Sequence, residues 1–201
     1  MKKVIIASVA VAVLTLACGE EEGVTPRVPD RLEPTTPANV LKNVAISFNQ
    51  RDVILLKAML SPDFVFYFDP RDVGQSPPGR PSYRIPESWS YAEFWPALKN
   101  MFDKAYSINL SIPTSRVGTP GENETTYKAN NINISLLVMV DELNGFIVDP
   151  GYCNFEFDKY TTKESKKYWR LTGWWDRTSQ GYDEYPAPSP SSLGRVLAMY
   201  Y

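Results

Sequence analysis

Helical and strand periodicities occupy separate parts of this chain, and that separation limits its fold more than any other feature. Between residues 36 and 105, apolar side chains mostly recur at the 3.6-residue period of a helix, as in Val40, Val44 and Phe48. From residue 108 to residue 176 they alternate with polar residues, which is the period of a half-buried strand. Segregated elements predict an α+β fold, with helices packed on one face of a curved sheet.

The first part contains three predicted helices and one strand. Thr36 before Pro37 is typical of a helix start, because the hydroxyl caps the first turn and proline fits the first helical position. Asp52 is placed to cap a second, shorter helix. Residues 61–63 then predict a turn into an aromatic strand over residues 64–68.

A loop rich in proline and glycine, residues 69–86, precedes the third helix. Ser90 and Glu93 have the spacing of a capping box, which predicts a helix start at Ser90. Pro96 interrupts the helical pattern, so either the helix kinks there or Trp95 is the true cap.

The second part predicts four antiparallel strands. Apolar residues alternate with polar ones over residues 108–112 and 132–140, and again from Cys153 onward. Asn144-Gly145 and Pro150-Gly151 are typical turn pairs. A lone Cys153 in an alternating strand is most simply a small buried side chain.

The last strand contains Gly173, so its side chains can be assigned to the two faces of the sheet in two ways. Strict alternation places Trp169 and Trp175 on one face and Trp174 on the other. A bulge at Gly173 shifts the phase and brings Trp174 onto the face of Trp169. In that case we expect Trp169 and Trp174 to be buried against the first and third helices.

Two segments resemble a known superfamily. The run Asn49-Gln50-Arg51-Asp52 through Asp63-Phe64-Val65-Phe66 is similar to the opening of nuclear transport factor 2-like (NTF2-like) domains, also called cystatin-like or polyketide cyclase-like domains. The ending Trp169-x-Leu171-x-x-Trp174-x-Asp176 resembles the last-strand pattern of their small bacterial members.

The resemblance spans about residues 36–178. It implies a cone, in which about three N-terminal helices and a curved, mostly antiparallel sheet enclose an apolar pocket. Some members of the superfamily are isomerases, dehydratases, cyclases or epoxide hydrolases, and many only bind or assemble. The resemblance therefore predicts a fold and leaves the function open.

The first 17 residues have the pattern of a signal peptide. Two lysines precede an uncharged run, residues 4–17, that is too short for a membrane span. Leu14-Thr15-Leu16-Ala17-Cys18 resembles the lipobox of bacterial lipoproteins, whose cysteine is acylated and becomes the mature N-terminus. Cys18 is therefore the predicted lipidation site. The alternative is a plain secretory signal with an incidental cysteine.

These patterns divide the chain into four parts. Residues 1–17 are the signal peptide, 18–36 a flexible tether rich in acid and proline, 37–178 the folded domain, and 179–201 a tail rich in proline and serine. Within the tail, residues 193–201 are apolar enough to dock on the body. The predicted location is the bacterial cell envelope, at the outer membrane or cell surface rather than the inner membrane, with the lipid as the membrane contact.

The composition excludes several classes of function. The 201 residues contain no histidine, which removes Ser-His-Asp triads and imidazole metal ligands. The net charge of -2 gives no field that attracts nucleic acid. None of the loop acids has the spacing of a calcium loop, and we expect neither a cofactor nor a metal.

Six aromatic and acidic side chains are candidates for the pocket, each with a structural alternative. Tyr67 either presents its hydroxyl to a cavity or is structural. Asp176, close to an indole, either has a raised pKa suited to proton transfer or caps the end of the sheet. The tryptophans either line the pocket and its entrance or belong to the core. The full set is Tyr67, Trp89, Trp95, Trp169, Trp174 and Asp176.

Two functions fit these residues. The first is a lipid-anchored, non-catalytic cone that binds a small apolar ligand or an envelope protein, since the chain is rich in aromatic residues and lacks histidine. The second is an acid/base enzyme of the isomerase or dehydratase type, which needs an aspartate and a tyrosine converging on one point of the pocket. A homodimer is also expected, through the open sheet face and an exposed Trp174 or Trp175.

Overall fold

The computed structural model describes residues 31–178 and 192–201, so the predicted signal peptide, Cys18 and most of the predicted tether lie outside the described residues. The helices are α1 (Pro37–Gln50), α2 (Val53–Met59), α3 (Tyr91–Lys104) and α4 (Leu193–Ala198). The strands are β1 (Leu60–Tyr67), β2 (Ser88–Ser90), β3 (Ser107–Ser111), β4 (Thr126–Met139), β5 (Gly145–Thr161) and β6 (Lys167–Asp176).

The strands form one curved, open sheet in the order β2-β1-β6-β5-β4-β3. β1 and β6 pair in parallel, and every other neighbouring pair is antiparallel. The helices pack on one side of the sheet, which we call the inner face. The predicted fold class, α+β with helices on a curved, mostly antiparallel sheet, is confirmed.

Capping side chains start α1 and α2 where the sequence predicts. The Thr36 hydroxyl accepts a hydrogen bond from the Asn39 amide at 3.1 Å. The Asp52 carboxylate accepts one from the Leu55 amide at 2.9 Å. Each cap satisfies an amide that the first helical turn leaves without a partner.

The third helix begins at its capping box. The Ser90 amide donates to the Glu93 carboxylate at 2.9 Å, and the helix runs through Pro96 without ending. The alternative start at Trp95 is therefore wrong, because the box already satisfies the first turn several residues earlier.

Two predicted turns lie inside strands instead. Residues 61–63 belong to β1, at a point where its pairing register with β6 shifts. Pro150-Gly151 belongs to β5, close to a register shift against β4. Long strands accommodate such turn-type residues as bulges or irregularities. These residues therefore disturb the pairing locally but do not reverse the direction of the chain.

Aromatic rings fill the space between the inner face and the helices. Trp174 of β6 lies at the centre of this cluster and is fully buried. Its ring centroid is 6.2 Å from that of Phe48 in α1, 6.0 Å from that of Phe66 in β1 and 5.1 Å from that of Phe155 in β5. One indole therefore joins a helix to three strands of the sheet.

β6 carries the predicted bulge. One step along β5 corresponds to two steps along β6, from Leu171 to Gly173, so Thr172 is an extra residue. Trp169 and Trp174 consequently both lie on the inner face, 3% and 0% exposed. The predicted phase shift is confirmed.

Trp175 lies on the opposite, outer face, where its ring stacks on Tyr67 with centroids 4.6 Å apart and planes 2° apart. A Cβ at Gly173 would come within 2.4 Å of this indole. Glycine therefore lets the ring cover the bulge. Trp174 is buried, so it is not the exposed dimer contact, and Trp175 remains the predicted one.

The folded body also includes residues 31–36, which the sequence assigns to the tether. The Trp169 amide donates to the Pro34 carbonyl at 2.8 Å. The Asn43 side chain bonds the backbone of Leu32 in both directions, at 2.9 and 2.7 Å. In the described part of the chain, no helix is long and apolar enough to cross a membrane.

Replacing Trp174 and Trp175 separately tests the phase of β6. We expect Trp174→Ala to lower the free energy of unfolding by about 3–5 kcal/mol, because it empties the centre of the aromatic cluster. Trp175→Ala loses one stacking contact at a half-exposed site, and we expect a cost of about 1 kcal/mol. Chemical denaturation of both variants measures this difference, and a larger loss for Trp175→Ala would refute the assigned faces.

Candidate functional site

Asp176, the last residue of β6, is fully buried on the inner face. Its Oδ1 accepts hydrogen bonds from the Thr178 hydroxyl at 2.6 Å and from the Thr178 amide at 3.1 Å. Its Oδ2 accepts one from the Gly194 amide at 2.7 Å. Both oxygens are thus held by donors that flank residues 179–191 in the chain.

Burial is the main influence on this carboxyl group. It raises the pKa of Asp176 from its ordinary 3.8 to about 6. The hydrogen bonds from Gly194 and Thr178 lower the pKa, while the nearby Asp69 carboxylate raises it. A raised pKa is one of the two alternatives that the sequence leaves open for Asp176, and burial is its largest cause.

A second buried acid, Asp72, contacts the same end of α4. The Ser192 hydroxyl donates to Asp72 Oδ2, and the Arg195 guanidinium lies 3.5 Å from Asp72 Oδ1. Burial raises the pKa of Asp72, with the Ser192 hydrogen bond opposing it. In the sequence, Asp72 lies in the loop of residues 69–86 and belongs to no motif. Ser192 lies 120 residues away along the chain, so no local pattern identifies this contact.

Residues 192–201, which we call the C-terminal segment, pack on the inner face between α3 and the sheet. Val196 and Leu197 are at most 1% exposed, as is Leu193. A Cβ at Gly194 would come within 2.6 Å of the Phe68 ring, just beyond β1, and within 3.2 Å of the Phe66 ring in β1, so only glycine permits this approach of α4. The docking predicted from the apolar character of residues 193–201 is confirmed.

The far end of the C-terminal segment joins an aromatic group. The Tyr201 ring lies 5.0 Å from both the Tyr83 ring and the Trp89 ring, centroid to centroid. The Arg80 guanidinium lies over Tyr83 and Tyr201, at 5.3 and 5.8 Å. Trp89 itself is 1% exposed and donates to the Tyr83 hydroxyl at 3.0 Å. Trp89 therefore lines a recess that the chain itself occupies.

Tyr67 and Asp176 lie on opposite faces of the sheet. Tyr67 and its stacked partner Trp175 line a surface depression of about 350 Å³ on the outer side, together with Glu87 and Arg177. Asp176 faces inward to the C-terminal segment. The structure therefore does not bring these two candidates together as an acid/base pair.

The two remaining tryptophans have structural surroundings. Trp95, on α3, is half-buried and stacks on Tyr91 with centroids 5.8 Å apart. Trp169 is part of the core, and the Lys159 ammonium lies 4.8 Å from its ring centroid. Of the six candidates, Asp176 contacts the C-terminal segment through Gly194, and Trp89 contacts it through Tyr201.

Cys153 pairs across the strands with Asp176 and is completely buried. Burial, followed by the Asp176 charge, raises the pKa of its thiol well above the ordinary value. The thiol is thus a small buried side chain, as predicted. Over residues 31–178 and 192–201, no group of three or more Cys, Asp or Glu side chains is placed to hold a metal ion.

Comparison with known proteins finds similarity only among solved structures. No family model matches the chain, and no curated protein matches it. The chain is similar to the Kfla4162 protein from Kribbella flavida, at 13% identity and a TM-score of 0.47, over 79% of this chain and 91% of that one. It is similar to an NTF2-like superfamily protein from Salmonella enterica serovar Typhimurium, at 12% identity and a TM-score of 0.47, over 74% and 93%.

A third similar structure is an NTF2-like protein of unknown function from Pseudomonas putida KT2440. Its identity to this chain is 8% and the TM-score is 0.48, over 77% of this chain and 88% of that one.

The raised pKa of Asp176 predicts a pH dependence of stability. The folded state holds this proton more tightly than the unfolded chain. Its contribution is therefore fully present below pH 3.8 and is lost as the pH rises through about 6. We expect the free energy of unfolding of the natural chain, measured relative to Asp176→Asn, to rise by about 2 kcal/mol between pH 7 and pH 4.

Denaturant titrations at several pH values measure this difference. The matched control is Asp103→Asn, because Asp103 is an exposed aspartate in α3. A pH dependence of the same size in Asp103→Asn would show that the effect does not belong to the buried position. Parallel curves for Asp176→Asn and the natural chain would show that the buried carboxyl does not titrate as described.

Proposed function

We propose that this chain is a lipid-anchored protein of the bacterial cell envelope, whose NTF2-like domain binds a small apolar ligand without catalysis. The observation that carries the proposal is the recess between α3 and the inner face. Its walls include buried rings such as Phe68 and Trp89, and it holds the buried side chains of Leu193, Val196 and Leu197 from the chain's own C-terminal segment. Apolar walls with a few polar groups at one end are typical of small-molecule sites.

The arrangement of titratable groups supports binding rather than acid/base catalysis. A general acid or base must reach the reacting atom of the substrate. Both oxygens of Asp176 already accept hydrogen bonds from the protein. Tyr67, the candidate partner, lies on the other side of the sheet. The sequence contains no histidine to replace either group.

The anchor rests on the sequence of the first 18 residues. A short uncharged run followed by Leu14-Thr15-Leu16-Ala17-Cys18 is typical of a lipoprotein signal. Lipid attachment at Cys18 would leave residues 19–30 between the membrane and the folded body, which begins by residue 32 beside Asn43. About 12 residues span up to roughly 40 Å when extended, enough to hold the domain clear of the membrane.

The outer face supports contact with a protein partner. We propose that this partner is a second copy of the chain. The stacked rings of Tyr67 and Trp175 are half-exposed there. Paired aromatic rings on an open sheet face are typical of protein contacts.

Fractionation of the Cys18→Ala chain, followed by ligand titration, tests the proposal. We expect the natural chain in the membrane fraction and the variant in the soluble fraction, because the variant cannot be acylated. We expect the soluble variant to bind decanol, a neutral apolar probe, at one saturable site in calorimetry. Membrane association of the variant would refute the anchor, and no saturable binding would refute the ligand site.

A further inference from the structure

The C-terminal segment contains a short helix whose structure depends on the surface that it covers. A helix of six residues is not stable by itself, so α4 forms only where it packs on the body. Thr178 and Gly194, on either side of residues 179–191, donate to the same carboxylate of Asp176. Thr178 and Gly194, which flank those residues in the chain, are therefore close together in space.

Two different sets of contacts hold the segment. At its start, Ser192, Gly194 and Arg195 direct hydrogen-bond donors or positive charge at Asp72 and Asp176. Farther along, apolar side chains enter the recess, and the Asn100 amide donates to the Tyr200 carbonyl at 2.9 Å. Tyr201 then lies on the aromatic group of Tyr83 and Trp89. The segment thus combines a donor-rich end with an apolar body.

Removing the segment would leave buried acids without the donors that it supplies. Asp176 would lose the Gly194 amide, and Asp72 would lose the Ser192 hydroxyl and the Arg195 charge. A buried carboxylate without such partners is costly, so a molecule that replaces the segment must supply equivalent donors. An anionic end group would instead face the carboxylates of Asp72 and Asp176, with the buried Asp69 close by.

We propose that residues 192–201 are an internal occupant of the ligand site, displaced by an apolar molecule that carries a cationic or N–H-donating end. This inference rests on the proposed binding of an apolar ligand, and it adds the chemical class of the ligand and the control of access. The segment competes with the ligand for the recess. The apparent affinity of the natural chain for the ligand is therefore lower than that of a chain whose segment is displaced. The factor of reduction equals the fraction of molecules in which the recess is open.

Full-length Leu197→Gln tests this competition. Leu197 is completely buried. A glutamine amide buried there would lose its hydrogen bonds to water, and this cost favours release of the segment from the body. The matched control is Leu143→Gln, since Leu143 is 90% exposed on the β4–β5 turn. A milder variant, Tyr201→Ala, removes only the ring that contacts Trp89.

The probes are decylammonium and decanoate, which share one alkyl chain and differ in the charge of the end group. Calorimetry and tryptophan fluorescence measure their affinities. We expect Leu197→Gln to bind decylammonium at least tenfold more tightly than the natural chain does, and at least tenfold more tightly than it binds decanoate. Tyr201→Ala should show a smaller gain in affinity, and Leu143→Gln none.

Each other outcome overturns a distinct part of the account. If Leu197→Gln loses its cooperative melt, the segment is an integral part of the core and the displacement is wrong. Equal affinities of the natural chain and Leu197→Gln would leave apolar binding in place and refute competition by the segment. Equal or tighter binding of decanoate would refute the ligand class. Binding of neither probe by any folded variant would remove the proposed function as well.

Discussion

The bulge in β6 is the feature on which the core and the candidate site both depend. Thr172 is one residue more than β5 can pair, so β6 changes phase there. Without it, strict alternation from Trp169 would turn Trp174 and Asp176 outward. With it, the indole of Trp174 reaches α1, β1 and β5, and the carboxylate two residues later enters the same interior.

A buried carboxylate requires hydrogen-bond donors. The donors of Asp176 connect the end of β6 to the C-terminal segment. Asp176 receives them from Thr178 and Gly194. The glycine serves twice, because its amide donates to Asp176 while its missing side chain lets α4 lie against Phe68. The segment thus completes both the polar and the apolar surroundings of the recess, which is why we describe it as the occupant of a site.

How much of the structure the sequence predicts depends on how far apart along the chain the interacting residues lie. Thr36 and the capping box at Ser90 act within one helical turn, so local spacing identifies them. The strand at Gly173 admits two phases, and only packing against the helices selects one. Asp72 and Ser192 meet across 120 residues, and no local pattern predicts that contact. Pro150-Gly151 is a turn signal that a long strand overrides.

Native-state hydrogen exchange tests the central claim, that the C-terminal segment is a separable occupant of the inner face. The Val196 and Tyr200 amides donate to carbonyls within the segment, while the Phe155 amide lies in the middle of β5. We predict that the segment amides exchange through a local opening at least tenfold more frequent than the opening of Phe155. If all three amides exchange only through global unfolding, with one opening free energy, the segment is part of the core and the account is contradicted.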